Sequence, residues 1–422
     1  MQIINTCEKI KTTFTNGFDI KLWRKYAEEI SKELPQKCES DAKSYDFEKV
    51  VLPVLKLALN KEKIDIVSKS FQSVIDTLND NLTKLFDKEP DIKIILYLGL
   101  CNGAGWATTL DGKNTVLLGL EKIIELDWCD ETNMRALILH EIGHLWHKLN
   151  GNLYFSAYTK RRKAIQQLYQ EGVAMVCEHI LCGDDEFYHQ DKDGWLKWCY
   201  ENENTIKKEY LCRLQANESV QDFFGDWCSY DGHSDVGYFL GCRFVRYILK
   251  THSLKEVANM SYRTLNKAFV DFARTVIEPL TPEDYHKCSN IWDMKKQPLA
   301  GKWYDEIVSG NRHVYVYKID GKFIGEGALV KDAGDPDYTI PEKRVYVSRM
   351  IVKKEYRNRG IGGEILTFLI AKAKEMGYSE MTIGVDKGNV NALHLYQKFG
   401  FTEVLFDGSD EHGEYLKLMK RI

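Results

Sequence analysis

The chain has 422 residues, 44% of them apolar, and a formal net charge of −4. That length allows two or three domains, and the apolar content allows a sizeable core, which excludes a globally disordered chain. The mildly acidic balance argues against a general nucleic-acid binder, whose phosphate contacts need a basic surface. The run "KRRK" at 160–163 reads as a solvated helix face. The N-terminus lacks the unbroken apolar stretch of a signal peptide, and no run is long enough to span a bilayer. Eleven cysteines without a Cys-x-x-Cys pair fit free thiols. The expectation is a cytoplasmic protein with neither nucleic acid nor membrane as partner.

In chain order, "FEKVVLPVLKLAL" and "FQSVIDTLNDNLTKLF" carry apolar residues at helical spacing. Two extended apolar runs follow, "IKIILYLGL" and "NTVLLGLEKII", with "CNGAGWATTLDGK" between them as a loop. Helices over 131–150 and through "YQEGVAMVCEHIL" come next. Composition shifts near residue 275: cysteines and tryptophans thin out and glycines thicken. We place the boundary between 273 and 274. Thr281, Pro282 and Asp284 there look like a helix start. Beyond it, strands "HVYVYKID", "KFIGEGALV", "RVYVSRMIV", "EMTIGVD" and "TEVLFDG" alternate with helices from about Ile361 and through Tyr396.

"LILHEIGHLWHKLNG" holds His140 and His144 four apart. Four residues turn an α-helix by about 400°, so both imidazoles face one way and can reach one metal ion. Glu141 flanks that side and can take a proton from a water held by the metal. Asp130 can cap the helix, and Asn150–Gly151 ends it. A third ligand is available on the next helix in "YQEGVAMVCEHIL": Glu171, with Glu178 on nearly the same face as fallback and His147 a weaker choice. Gly172 and Ala174 are small enough for two helices to approach closely.

His-Glu-x-x-His followed by a later helical glutamate resembles the gluzincin class of zinc peptidases, over about residues 90–250. The resemblance implies zinc held by His140, His144 and Glu171, with Glu141 as general base. It also implies a donor to the oxyanion, for which Tyr238 is the first choice and His233 the second. Its substrate would be a peptide added to a sheet edge. "NTVLLGLEKII" stands in sequence where that edge belongs.

"VSRMIVKKEYRNRGIGGEIL" reads as strand, tight turn and helix. Arg357-x-x-Gly360-x-Gly362, with Gly363 next, leaves backbone N–H groups uncovered where the helix dipole is positive, a cradle for a pyrophosphate. The Rossmann spacing does not fit, and the Walker lysine is missing. Further on, "GVDKGNVNALHLYQKFGF" adds Asn389-x-x-Ala392, Tyr396 and Gly400-Phe401. Together these resemble the GNAT superfamily of N-acetyltransferases over residues 274–422.

That resemblance implies acetyl-CoA as cofactor. Backbone amides of Arg357, Asn358, Arg359, Gly360, Ile361 and Gly362, beside Gly363, would hold the pyrophosphate. Met350 and Val352 would meet the acetyl and pantetheine arm through main-chain groups. Asn389 would contact the cofactor, and Tyr396 would protonate the departing thiolate. The strand before the turn has no carboxylate, so the base is unassigned, with Glu326 a candidate; His394 is a packing or solvent-facing residue. The expected chain is therefore multidomain: a mainly α (α+β) zinc-peptidase-like domain over 1–273, then an α/β GNAT domain over 274–422 with a mixed, mostly antiparallel sheet. The acceptor is an amine on a small molecule, peptide or protein. Two alternatives stand: the first domain is a non-hydrolytic binding or structural zinc module, or the transferase acetylates an antibiotic amine.

Overall fold

The structure, a computed structural model, describes residues 1–43, 45–225, 227–319, 321–410 and 413–422. It divides into two compact units, Met1–Phe269 and Val270–Ile422. Among the described residues no helix is long and apolar enough to cross a membrane.

The first unit opens with strand β1 (Gln2–Asn5), then helices α1 (Cys7–Thr13), α2 (Ile20–Ile30), α3 (Leu34–Ala42), α4 (Leu52–Ala58) and α5 (Lys61–Leu82). Strands β2 (Ile92–Tyr97), β3 (Gly105–Leu110) and β4 (Lys113–Gly119) follow. Helices α6 (Leu120–Glu125), α7 (Glu131–Asn150), α8 (Lys160–Cys182), α9 (Trp195–Ala216), α10 (Val236–Leu249), α11 (Leu254–Ala258) and α12 (Tyr262–Ala273) come after them.

The four strands form one sheet in the order β1-β2-β4-β3, with β3 the one antiparallel member. This corrects two expectations. "CNGAGWATTLDGK" is no loop, because it contains β3. "NTVLLG" is no edge, because β4 is paired on both sides. The apolar run that suggested an edge instead reflects burial on both faces, as a central strand requires.

Helix α7 is buried on nearly every side between Met134 and His147, His140 and Glu141 included, as suits a helix enclosed by its neighbours. Asp130 caps it by accepting from the amides of Thr132 and Asn133. Thr159 caps α8 by accepting from Arg162, and Gly183, in the left-handed region, ends it. Two contacts bring α7, α8 and α10 unusually close. A β-carbon added at Gly143 would stand 2.9 Å from the Ala174 carbonyl, and one at Gly172 would stand 2.2 Å from the Gly241 carbonyl. Both obstacles are backbone and cannot swing aside.

The second unit is one seven-stranded sheet: β5 (Thr275–Pro279), β6 (Arg312–Ile319), β7 (Lys322–Val330), β8 (Arg344–Val352), β9 (Glu380–Asp386), β10 (Glu403–Asp410) and β11 (Gly413–Arg421). Their order is β10-β11-β9-β8-β7-β6-β5, and β8–β9 is the parallel pair. The strand read through Asp320 ends at Ile319; Asp320 lies outside the described residues. Helix α13 (Ala300–Val308) and the 3-10 turns of Pro282–Asn290 cover one face; α14 (Ile361–Glu375) packs on the other; α15 (Val390–Lys398) follows β9. Strand β5 at 275–279, just before the expected helix start, was not anticipated. Thr281 makes no side-chain cap, and Pro282–Asn290 is 3-10 rather than α.

Gly172→Ala should lower the free energy of unfolding by about 1–3 kcal/mol, since the added methyl overpacks a backbone contact. A shift of the denaturant midpoint for the first unit checks it; an unchanged midpoint would mean that α8 and α10 are free to part.

Candidate functional sites

In the first unit, His140 and His144 on α7 and Glu171 on α8 turn inward together. One donor atom from each lies within 4.8 Å of the others. Glu171 Oε2 is 3.3 Å from the Nε2 of both histidines. The tight α7–α8 contact is what lets a glutamate of one helix reach imidazoles of the other. Two imidazoles and a carboxylate are a donor set that suits zinc in a catalytic coordination sphere. The residues present therefore fit the ion.

The charge balance points the same way. Burial alone would lower the His140 ring, but Glu171 and Glu178 outweigh it and raise it to about 10. Burial would likewise raise Glu178, yet His189 and His140 hold it down at about 2. Glu171 is held well below the usual carboxylate range by His144 and His140 against the same opposition from burial. Two carboxylates around one imidazole, Glu178 buried and Glu171 partly so, make a pocket that favours a cation.

Glu178 is not a fallback ligand. Fully buried, its two oxygens lie 3.1 Å from His140 Nδ1 and 3.3 Å from His189 Nδ1. It orients His140 so that Nε2 faces Glu171, the usual service of a carboxylate behind a metal-binding histidine. His189 meets Trp128 edge-on at 5.0 Å. Neither role was read from sequence. Glu178 shares the helical face of Glu171, so spacing could not tell ligand from orienter, and His189 sits in a loop without periodicity.

His147 is no ligand: it is buried edge-on against Tyr169 at 4.6 Å, and burial pushes it down to about 3. Tyr238 on α10 lies beside the cluster, its ring centroid 5.6 Å from that of His140. His233 instead stacks on Trp198 at 3.7 Å.

Glu141 points toward the edge strand, where its carboxylate accepts from the Ala107 amide at 2.6 Å. Burial raises its pKa above the ordinary value. Sequence reasoning missed Gly105 on β3, whose absent β-carbon would lie 2.4 Å from Glu141 Oε1. A glycine inside a strand is a signal for such close approach.

In the second unit, β8 and β9 pair only as far as Val347 and Ile383 and then separate. Past that point β8 carries a bulge: Glu326 pairs with Ile351 and Ala328 with Ser348, leaving two residues of β8 against one of β7. Met350 and Val352 follow on the freed stretch. The chain then turns through Asn358 (φ +59°) and Gly360 (φ +78°) into α14, whose N-terminus has no side-chain cap. Its first amides are thus available to an anion. Gly362 and Gly363 leave room toward Leu395 and Phe399 of the α15 segment. Arg357 folds back to donate to the Val352 carbonyl at 2.8 Å, and Arg359 lies over Tyr356.

Asn389 caps α15 by accepting from Ala392 N at 3.2 Å, which commits its oxygen. Tyr396 is buried, pushed up to about 12 by that burial with a further push from Tyr346 of β8. His394 is exposed. Glu326 is not a free base: it is 3% exposed and pairs with Arg349 Nε at 2.7 Å. A cavity of about 710 Å³ flanks the strand, with Tyr285, Asn290, Trp292 and Tyr304 in its wall. Asn290 Oδ1 accepts from Lys353 Nζ at 3.2 Å, and Trp292 lies under Arg349.

Residues 277–401 match the acetyltransferase (GNAT) family. The chain is 27% identical over 149 residues to an uncharacterized N-acetyltransferase of Lactobacillus delbrueckii subsp. lactis, covering 34% of this chain and 83% of that protein. It is 37% identical over 75 residues to the N-alpha-acetyltransferase MAK3 of Arabidopsis thaliana, covering 18% of this chain and 38% of that one. It thus spans well under half of the second relative. A GNAT family acetyltransferase from Elizabethkingia anophelis, solved with acetyl-CoA bound, is 22% identical with a TM-score of 0.27, covering 35% of this chain and 99% of that one. The family match and the relatives support a C-terminal GNAT acetyltransferase domain.

Gly105→Ala should displace Glu141 from β3, and its effect should be confined to that contact. The Ala107 amide, bonded in the native chain, should then exchange its hydrogen at least about tenfold faster, equivalent to losing about 1.4 kcal/mol of protection. Unchanged protection would mean that the carboxylate does not hold the strand.

Proposed function

We propose that the chain is an acetyl-CoA-dependent N-acetyltransferase whose first unit carries a zinc-dependent peptidase centre. The observation that carries the transferase half is the order of elements past the last β8–β9 pair: the bulge with Met350, then Val352, then the turn 357–362 into α14. Tyr396, buried in the core cluster against which Met350 and Val352 pack, supports it. When bound, acetyl-CoA supplies an activated acetyl group as its thioester. The chain's own part is to hold the pyrophosphate on the turn amides and dipole of α14, and to offer main-chain groups of Met350 and Val352 to the acetyl arm. Tyr396 would hold its phenolic proton for the departing sulfur, and the proton shed by the acylated nitrogen would return through water to the phenolate. The amine must arrive neutral, so its proton leaves to solvent or through water. The acceptor is an amine of a small molecule, peptide or protein that enters by the cavity beside Trp292.

The peptidase half is favoured by the His140–His144–Glu171 triad and by the orienting bond from Glu178. A zinc ion there would supply Lewis acidity and make water nucleophilic near neutral pH. Glu141 would take the proton from the attacking water and pass it to the leaving amine. Tyr238 would donate to the oxyanion. The substrate would add antiparallel along β3, the edge nearest Glu141.

Tyr396→Phe should lower kcat about 10²-fold with little change in the KM for acetyl-CoA. Because burial keeps the Tyr396 proton in place to about pH 12, the wild-type rate should rise with pH as the amine is freed and show no alkaline fall below about pH 10. CoA release against pH checks both; an alkaline limb near pH 8, or full activity of the variant, would remove Tyr396 from the role. For the first unit, elemental analysis should find about one zinc per chain. His144→Ala should lose the metal, and Glu141→Gln should keep it while abolishing cleavage of a peptide library. Equal cleavage by Glu141→Gln would remove the hydrolytic mechanism and leave a structural or binding zinc module.

A further inference from the structure

Arg349 stands in the β8 bulge with a φ of +57°. Most other described non-glycine residues in that region are Asp or Asn, whose short side chains tolerate it. A long basic residue there is strained, so the surroundings must hold it. They do so from three sides. Its Nε donates to Glu326 Oε1 at 2.7 Å, and Glu326 is almost wholly buried. Its guanidinium lies 3.8 Å from the ring centroid of Trp292 and 4.4 Å from that of Trp303, which meet edge-on at 5.9 Å. The preceding residue is tethered on the same face: Ser348 Oγ accepts from Arg312 Nη1 at 3.2 Å, and Arg312 is itself paired with Glu306. Met350, the next residue, packs on the opposite face of the sheet. The bulge is therefore gripped on one face while its main chain is offered toward the parting of β8 and β9.

We propose that Arg349 is a positioning residue for acetyl transfer: clamped by Trp292, Trp303 and Glu326, it fixes the bulge so that the main chain of Met350 meets the acetyl carbonyl. This rests on the transferase reading. Arg349 touches no reacting atom, and its effect passes through the backbone of Met350. The clamp acts on the acetyl end alone, because the turn that takes the pyrophosphate lies eight residues further on, at Arg357.

The test compares binding of acetyl-CoA with binding of CoA, by calorimetry on the full chain, for the wild type, Arg349→Gly, Arg349→Lys and Glu326→Gln. Glycine accepts the positive φ without strain and so removes the clamp without forcing the backbone. Arg349→Gly should weaken acetyl-CoA about tenfold and leave CoA within about twofold, one lost main-chain hydrogen bond being worth that much. Arg349→Lys, lacking the planar fork, should fall between, and Glu326→Gln should follow Arg349→Gly in direction with a smaller loss. Thermal melts identify any variant that fails to fold, and Glu326→Gln, which keeps the side-chain volume, then decides alone. Equal weakening of both ligands would show a merely structural role and overturn the proposal, as would unchanged affinity for acetyl-CoA. A wild type that binds neither ligand would sink the transferase reading itself.

Discussion

A β-carbon at Gly105 would lie 2.4 Å from the Glu141 carboxylate, and one at Gly172 2.2 Å from the Gly241 carbonyl. Both candidate sites rest on backbone coming where a side chain would normally stand. In the first unit this closeness brings a carboxylate from one helix to two imidazoles of its neighbour and sets Glu141 against an edge strand. In the second, Gly327 opposite the bulge leaves its space to Ile365 and Leu369 of α14, so helix and bulged strand meet at short range. Interiors packed at crystal density do not bend to admit an extra methyl. The geometry of each site is thus set by packing some distance from its reacting groups.

The second shared feature is buried charge held by opposite charge. Glu178 is locked between His140 and His189, and Glu326 is paired with Arg349, whose guanidinium lies over Trp292 and Trp303. Such pairs add little net stability, because desolvation consumes much of the Coulomb gain. Their value lies in orientation. Glu178, with one oxygen on each of two imidazoles, fixes the ring of His140, and Glu326, through its one oxygen on Arg349, fixes the guanidinium and the strand beyond. Removing one partner leaves a buried charge unpaired, which costs far more than the pair contributes.

Much of this was legible in the residues, and the losses have identifiable causes. The shared face of His140 and His144 was readable because helical spacing decides it, whereas the choice of Glu171 over Glu178 rested on the resemblance, since the two glutamates share a face of α8. The glycine turn was readable because few other residues accept its conformation. β3 was not, since "GWATTL" is half exposed and opens on the glycine that Glu141 requires, so its pattern resembles a loop. The edge was misplaced for the complementary reason: β4 is more apolar because it is interior. Strand β11 escaped because its alternation is mixed with Lys417, Lys420 and Arg421. Lys417 is nonetheless buried between Asp335 and Asp337. Arg349 could not be singled out, because nothing in one sequence marks a positive φ at an arginine.

The proposed seat of the thioester cofactor is the stretch from the bulge to the start of α14. Amide hydrogen exchange on the full chain, with and without saturating acetyl-CoA, tests it. We expect slowed exchange across residues 349–363 and around Tyr396, with α7 unaffected. Unchanged exchange over 349–363 at saturating cofactor would contradict the assignment.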